Sequence, residues 1–498
     1  MKKNPFILIS ILLSVLTVLP AAAGGKKETT DASLRFNPEK YELRSVVYNG
    51  KTVQYRAYEN IVYVSKPVDT KYESMNIYIP AEYFENRTVN GYSAKTAPIF
   101  FPNGVGGYMP AEPGTLASPF GNTDTPGASL TALADGLVVA APGARGRTTK
   151  DASGSYTGKA PACIADLKAA VRYLRYNDKN MPGDAEKIIS NGTSAGGALS
   201  ALLGSSGNSK EYEPYLKAIG AANARDDIYA ASCYCPITNL EHADTAYEWL
   251  FNSHNDYSKM LITQMTDYHI ERKEIQGTLS ADQMQASGDL ASLFPAYVNS
   301  LMLKAPDGTA LTLNADGSGS FREYAASFII ASAQKQLDSG TDMSKYTFLT
   351  VSGNTVTGID FNAYISYIVR MKLPGAFDSP AADNAENSLF GDTATDTKHF
   401  TAYALENDTA GAPMTDAALI RIMNPMNYIG AAGAKTAPYW RIRHGTKDRD
   451  TSLAVPVILA AELRNKGFSV DFSMPWDIPH SGDYDLGELF SWIHSITK

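Results

Sequence analysis

Ile188-Ile189-Ser190-Asn191-Gly192-Thr193-Ser194-Ala195-Gly196-Gly197-Ala198-Leu199-Ser200-Ala201-Leu202-Leu203 is the stretch on which the fold turns. Its apolar start reads as a strand ending near Ile189, and Ala198 to Leu203 reads as a helix. Between them, Gly192-Thr193-Ser194-Ala195-Gly196 has the form of a nucleophile elbow. The reversal from strand to helix is so tight that only small residues fit around a serine held in a strained backbone geometry. Ser194 then stands at a helix N-terminus, where free amides and the helix dipole favour a developing oxyanion. A GxSxG in a chain with 39 glycines is weak alone, and the flanking strand and helix give it its meaning.

Outward from the elbow, short apolar runs (Ile99 to Phe101, Leu137 to Ala141, Ala231 to Ile237) alternate with helical stretches, the pattern of a parallel sheet with crossover helices. The clearest helix is Ala162 to Tyr176, with Ile164, Leu167, Val171 and Leu174 on one face and Lys168, Arg172 and Arg175 expected outside. Residues from about 40 to 80 alternate as antiparallel edge strands, as in Val53, Tyr55 and Tyr58, then Ile77 and Ile79. The rhythm stops after Asn239 and returns at the strand-like Tyr439 to His444. A helix (Leu453 to Lys466), a strand (Ser469 to Trp476) and a closing helix from Leu486 then complete the sheet. Between lie helical patterns near 281–303, 321–337 and 361–371, with a Gly/Asp/Ser-rich hairpin or loop at Asp307 to Ser320. The fold expected is therefore an α/β-hydrolase, a doubly wound and mostly parallel sheet. Its core spans 24–240 and 425–498, with a large, mainly helical lid inserted at 241–424.

The composition limits the partners. The 498 residues carry a net charge of −8, and no run of Lys or Arg marks nucleic acid or an anionic membrane as a partner. Lys2 and Lys3, the apolar run Phe6 to Leu19 and Ala21 to Ala23 read as a cleavable export signal over 1–23, with the mature chain starting near Gly24. An uncleaved anchor is the alternative. Cleavage leaves 42 basic and 52 acidic residues, a charge of −10, and a protein that is secreted or periplasmic with no other apolar stretch long enough to span a bilayer. Three cysteines, Cys163, Cys233 and Cys235, exclude a disulfide framework. Cys233 and Cys235 lie in the strand-like Ala231 to Ile237 and are expected to pack on one face, with a metal half-site as the sharper alternative. No second cysteine or histidine pair stands at ligand spacing, and no metal or organic cofactor is expected.

A serine nucleophile needs a base, an acid and an oxyanion hole. Asn103-Gly104-Val105-Gly106-Gly107-Tyr108 follows an early strand, so Gly106 or Gly107 is the candidate to donate an amide alongside Ala195. In this fold the acid and then the base follow the serine on loops after late strands. His480, between the last strand and the last helix, suits the base. His494 lies within that helix, and His444, before Gly445, suits a structural hydrogen bond. His242, His254, His269 and His399 fall in or at the edge of the insertion. The acid is Asp448 or Asp450. Residues two apart in an extended loop point to opposite sides, so one can orient His480 while the other faces a substrate pocket. Asp448, nearer the strand end, is taken for the triad.

Taken together, Pro102 to Met109, Pro142 to Arg147, the elbow, Pro236 to Leu240, Asp448-Arg449-Asp450 and Pro479-His480-Ser481-Gly482 resemble the bacterial tannases, or tannin acylhydrolases, of the family that includes feruloyl esterases. The similarity extends to two lid segments, Arg370 to Asp378 and Glu386 to Gly391. It implies that Lys372, Glu386 and Asp450 contact the phenolic hydroxyls of a galloyl ring, while Ser194, Asp448 and His480 form the triad. The chemistry suits such a ring, because two carboxylates and an ammonium can satisfy three adjacent hydroxyls with charge-assisted hydrogen bonds. The implied activity is hydrolysis of galloyl esters, from alkyl gallates to galloylated polyphenols, with a small-molecule polyphenol ester as the partner and no oligomeric state assigned. A hydroxycinnamoyl esterase (feruloyl or chlorogenate) would keep the triad and read fewer hydroxyls. A non-catalytic polyphenol- or glycan-binding protein would have no need of all three triad residues, and an exopeptidase of the same fold is a further alternative.

Overall fold

The computed structural model describes residues 32–117, 127–266 and 269–498. The expected export signal over 1–23 lies outside them. Among the described residues no helix is long and apolar enough to cross a membrane.

Nine strands form one sheet: β1 Glu42–Tyr48, β2 Lys51–Val62, β3 Ser74–Pro80, β4 Pro98–Pro102, β5 Val138–Pro142, β6 Asp184–Thr193, β7 Ala230–Tyr234 and, much later in the chain, the two strands Tyr439–Arg443 and Ser469–Ser473. Two further pairs form separate two-stranded sheets, β8 Asp256–Thr266 with β9 His269–Thr278, and β10 Leu349–Ser352 with β11 Thr355–Ile359. The two late strands are thus β12 and β13. The order across the large sheet is β1-β2-β3-β5-β4-β6-β7-β12-β13. The first strands pair antiparallel through β3 against β5, and from β5 to β13 every pairing is parallel. The inner strands β4, β5 and β7 are apolar along their length because helices cover both faces, as parallel strands require.

Some elements differ from the sequence reading. β6 does not end near Ile189 but runs on to Thr193, so the strand delivers Ser194 with no intervening loop. β7 stops at Tyr234, and Cys235 lies beyond it with a left-handed φ of 35°, so Cys233 and Cys235 do not share a strand face. The helix Ala162–Tyr176 has the expected bounds, but Lys168 and Arg172 are buried rather than outside. Helix Glu213–Ala218 packs against this helix, and Asp226 draws both side chains in: its Oδ1 accepts from Lys168 Nζ at 2.8 Å and its Oδ2 from Arg172 Nε at 2.8 Å. Arg175, also expected outside, keeps only 6% of its side chain exposed, with Glu186 as its partner at 2.6 Å.

Between β7 and β12 the chain builds helices Ala281–Ser300, Ser320–Asp338 and Phe361–Ile368 close to the expected spans, together with the two hairpins, which the sequence reading did not separate. The sheet resumes after this long excursion at β12, which pairs onto β7, and at β13, which pairs onto β12.

Candidate functional site

The elbow has the predicted geometry. Ser194 takes φ 60° and ψ −123°, a strained conformation, at the start of helix Ala195–Ser205. Its amide donates to Tyr234 O at 3.0 Å and its carbonyl accepts from Ala198 N at 2.9 Å, so the neighbouring strand and its own helix hold it in place. The glycines follow from crowding. A Cβ on Gly192 would collide with Gly196 O, and one on Gly196 would come within 2.8 Å of Asn103 Oδ1 and Val105 O.

The Gly106-Gly107 loop follows β4 and is tied to the elbow. Asn103 Nδ2 donates to Gly196 O and to Ser200 Oγ, each at 3.1 Å. Arg147 Nε donates to Gly107 O at 2.9 Å, which fixes the peptide after Gly107 from the opposite side. Gly107 has a positive φ of 52°. The amides of Gly106 and Gly107 take no protein partner among the described residues, and Ala195 opens its helix, so these amides remain free to meet an oxyanion. The Arg145 that precedes this support is buried against Asp166 and Glu73. Burial and the Asp166 charge push Glu73 up to about 7.

The two acids of the loop after β12 diverge as expected. Asp448, 2% exposed, presents Oδ2 to His480 Nδ1 at 2.8 Å. Asp450 turns the other way, with Oδ1 3.8 Å from Lys372 Nζ, while its amide donates to Asp448 Oδ1 at 2.9 Å. Burial opposes a charge on either member of the Asp448–His480 pair, but each partner outweighs it: Asp448 is held below the usual carboxylate range and His480 well above the usual imidazole value. His444 is buried with Nδ1 3.6 Å from Asp448 Oδ2, and its ring makes no protein hydrogen bond. The structural hydrogen bond expected for it is therefore absent among the described residues, and burial lowers its pKa below the ordinary imidazole value, which favours a neutral ring beside Asp448. His494 is half-buried and pairs with Asp135 at 2.7 Å. The loop carrying His480 packs onto the elbow so closely that a Cβ on Gly482 would collide with Thr193 Oγ1.

The lid residues converge from a separate direction. Lys372 Nζ lies 4.1 Å from the Phe377 ring centroid, and the Lys372 amide donates to Tyr247 Oη at 2.9 Å. Glu386 is buried on the short helix Ala385–Leu389, whose N-cap Asn384 forms a capping box with Asn387. Burial pushes the Glu386 carboxyl up, against the pull of Lys372 and then Arg147, and Asp450 adds to the rise. Glu386, Lys372 and Asp450 thus share one electrostatic environment. Asp244 anchors the intervening segment by accepting from the amides of Phe377 and Asp378 at 2.8 and 2.9 Å. A surface cleft lined by Arg147, Lys150, Tyr156, Asn384 and Ser388 borders this helix, and another beside Tyr48, Asp135 and His494 holds none of the candidate residues.

Sequence reasoning missed Cys235. All three cysteines are free and buried, but Cys235 Sγ is 3.8 Å from His480 Nε2 and 3.4 Å from Ser481 O. Only its position one residue past a strand end, facing a loop distant in sequence, distinguishes it from a core thiol.

A family model described as BD-FAE matches residues 151–280. No curated protein matches the chain. Among solved structures, the tannase of Fusobacterium nucleatum is 51% identical, over 93% of this chain and 99% of that one, with a TM-score of 0.90. A tannase from Lactobacillus plantarum is 47% identical over the same shares, with a TM-score of 0.89. A tannin acyl hydrolase in complex with ethyl gallate is 48% identical over 93% of this chain and 99% of that one, with a TM-score of 0.88. Identity at this level, over nearly the whole of both chains and on one lid-bearing α/β-hydrolase fold, means that the chain belongs to the bacterial tannase family and is a carboxylic ester hydrolase.

Proposed function

We propose that this protein hydrolyses the galloyl esters of tannins and simple alkyl gallates through an acyl-serine intermediate. Ser194 Oγ attacks the ester carbonyl carbon as its proton passes to His480 Nε2. The amides of Ala195 and of Gly106 or Gly107 receive the oxyanion, and collapse expels the alcohol with the proton from His480. Water then attacks the acyl-serine with His480 again as base, releasing gallic acid and restoring Ser194. Asp448 holds the imidazole in the tautomer that leaves Nε2 free. Lys372, Glu386 and Asp450 hold the ring hydroxyls, so that ring binding aligns the carbonyl with the nucleophile. No cofactor takes part.

The observation that carries this reading is the division of labour on one loop: Asp448 lies against His480 at 2.8 Å while Asp450 lies towards Lys372 at 3.8 Å. One short segment thereby links the triad to the ring clamp. The BD-FAE match over 151–280 favours a second reading, a hydroxycinnamoyl esterase, but it includes the elbow and none of Lys372, Glu386 and Asp450. Steady-state hydrolysis of methyl gallate and methyl ferulate by the purified protein separates the two, and faster turnover of ferulate would favour the second. Ser194→Ala should lower kcat by about a millionfold while leaving the fold intact. Retention of a few per cent of activity would remove the acyl-serine mechanism.

The sequence pattern over 1–23 supports export and removal of that segment, giving a secreted or periplasmic enzyme. The domain reading that accompanies it is a hydrolase core of 24–240 and 425–498 with a lid of 241–424. N-terminal sequencing of the protein recovered outside the cytoplasm, beginning near Gly24, is the expected result.

A further inference from the structure

We propose that Cys235 and His480 form a binding site for a thiophilic divalent cation such as zinc, and that filling it stops ester hydrolysis. Cys235 Sγ faces His480 Nε2 at 3.8 Å. The ligand atoms of Cys235, His480 and Asp448 all lie within 4.8 Å of one another. Zinc binds thiolate sulfur at about 2.3 Å and imidazole nitrogen at about 2.0–2.1 Å, so at a tetrahedral angle the two ligand atoms stand about 3.6 Å apart. The observed separation admits the ion with a movement of a few tenths of an ångström.

Asp448 completes the pattern from behind. Its Oδ2 holds His480 Nδ1 at 2.8 Å, the carboxylate–histidine arrangement that orients a metal-binding imidazole and keeps Nε2 as the donor atom. A thiolate paired with an imidazole selects zinc or cobalt over magnesium, which prefers oxygen ligands. The other cysteines offer no comparable site, since Cys163 lies within helix Ala162–Tyr176 and Cys233 within β7, both buried. Cys235 is itself buried, so the ion enters from the side of His480, whose side chain keeps 18% of its exposure.

On binding, the Cys235 thiol proton leaves to solvent as the sulfur–metal bond forms; where His480 is protonated its Nε2 proton leaves to solvent too, and Nε2 gives the metal the lone pair so freed. That pair is the one that would otherwise take the Ser194 proton. Two protein ligands leave the remaining positions to water, so binding is reversible by a chelator. Binding follows from the geometry alone, whereas inhibition rests on the reading of His480 as the base.

The test has two arms on the full chain. Cobalt(II) titration should give one thiolate-to-cobalt charge-transfer band per chain. The band should survive Ser194→Ala and vanish in Cys235→Ser and in His480→Gln. Zinc should then inhibit hydrolysis of 4-nitrophenyl acetate, a substrate without ring hydroxyls to chelate the ion, with full recovery on adding EDTA and no effect from magnesium. Measured against each protein's own zinc-free rate, Cys235→Ser should need roughly a hundredfold more zinc for half-inhibition. No band, or a band that persists without Cys235 or His480, overturns the site. A band with undiminished hydrolysis overturns the inhibition and, with it, His480 as the base. If no band forms but Ser194→Ala is inactive, the cation site is lost while the acyl-serine reading stands.

Discussion

Asp448 and Asp450 are chemically identical and two residues apart, yet one is buried against an imidazole and the other is partly exposed beside an ammonium. Toward an acetate ester, which has no ring hydroxyls, Asp448→Asn should therefore be the more damaging change. Greater damage from Asp450→Asn on that substrate would invert the two roles. The same pair sets a pH dependence. Burial alone would lower the His480 pKa, and the Asp448 charge more than reverses it. In Ser194→Ala, the His480 ring protons should titrate above the ordinary value of about 6.5. Adding Asp448→Asn should move that titration down, because the largest influence opposing burial is then gone and only the smaller one from Cys235 remains. Proton NMR reads both, and no downward movement would remove Asp448 as the controlling charge. Since the base must be neutral, kcat/KM should rise with pH through the raised value. Stability has the opposite sign: a histidine whose folded pKa is raised contributes stability that is full below about 6.5 and is lost as pH rises through the folded value.

At the scale of elements, the proposed ring contacts come from two short lid pieces held by other parts of the fold. Lys372 leaves a segment pinned by Tyr247 and Asp244, and Glu386 rides on a helix of five residues. A hydrogen bond to a charged group contributes about 1.5–3 kcal/mol, so Lys372→Ala or Glu386→Ala should lower kcat/KM for methyl gallate by about ten- to a hundredfold. Methyl benzoate should be almost unaffected. Equal losses on both esters would mean that the substitution had loosened the lid rather than removed a ring contact. The elements themselves were unevenly legible. Helix Ala162–Tyr176 announced its bounds through apolar residues at helical spacing, because one face meets the sheet. Its buried Lys168 and Arg172 did not, because what draws them inward is Asp226, a residue far along the chain. The hairpin β10–β11 escaped the reading because its strands are mostly exposed, so no buried face imposes alternation. The pair β8–β9 likewise forms its own two-stranded sheet, without the neighbours that make a strand's pattern regular. Cys235 was misplaced by a single residue of strand end, and a left-handed φ carried it out of the core pattern.

Across the whole molecule, the candidate groups gather at the C-terminal ends of parallel strands: the glycine loop after β4, Ser194 after β6, Cys235 after β7, Asp448 after β12 and His480 after β13. The sequence supplied that list of strand ends but not their neighbours, and adjacency is what makes a site. What ties the segment carrying Lys372 to this edge is a buried ion pair. Glu248, on helix Ala243–Phe251 just beyond β7, meets Arg370, two residues before Lys372, and both side chains are fully buried. Arg370 also donates to His254 O at 3.0 Å and to Ser287 Oγ at 3.2 Å, so it joins three parts of the excursion between β7 and β12. Arg370→Ala leaves Glu248 charged, buried and unpaired, which should cost about 3–5 kcal/mol of stability in denaturant unfolding. Removing the charge from both partners is a different perturbation. Glu248→Met with Arg370→Met fills similar volume with apolar atoms and should recover most of that loss, since the desolvation of both ions is no longer required. The recovered protein should hydrolyse an acetate ester near the wild-type rate and methyl gallate more slowly, because the chain leading to Lys372 has lost its fixed geometry while the triad has not. Wild-type stability in Arg370→Ala would refute the pair's structural role. A double variant as rapid on gallate as on acetate, relative to wild type, would separate the pair from ring recognition and leave it a fastening of the lid alone.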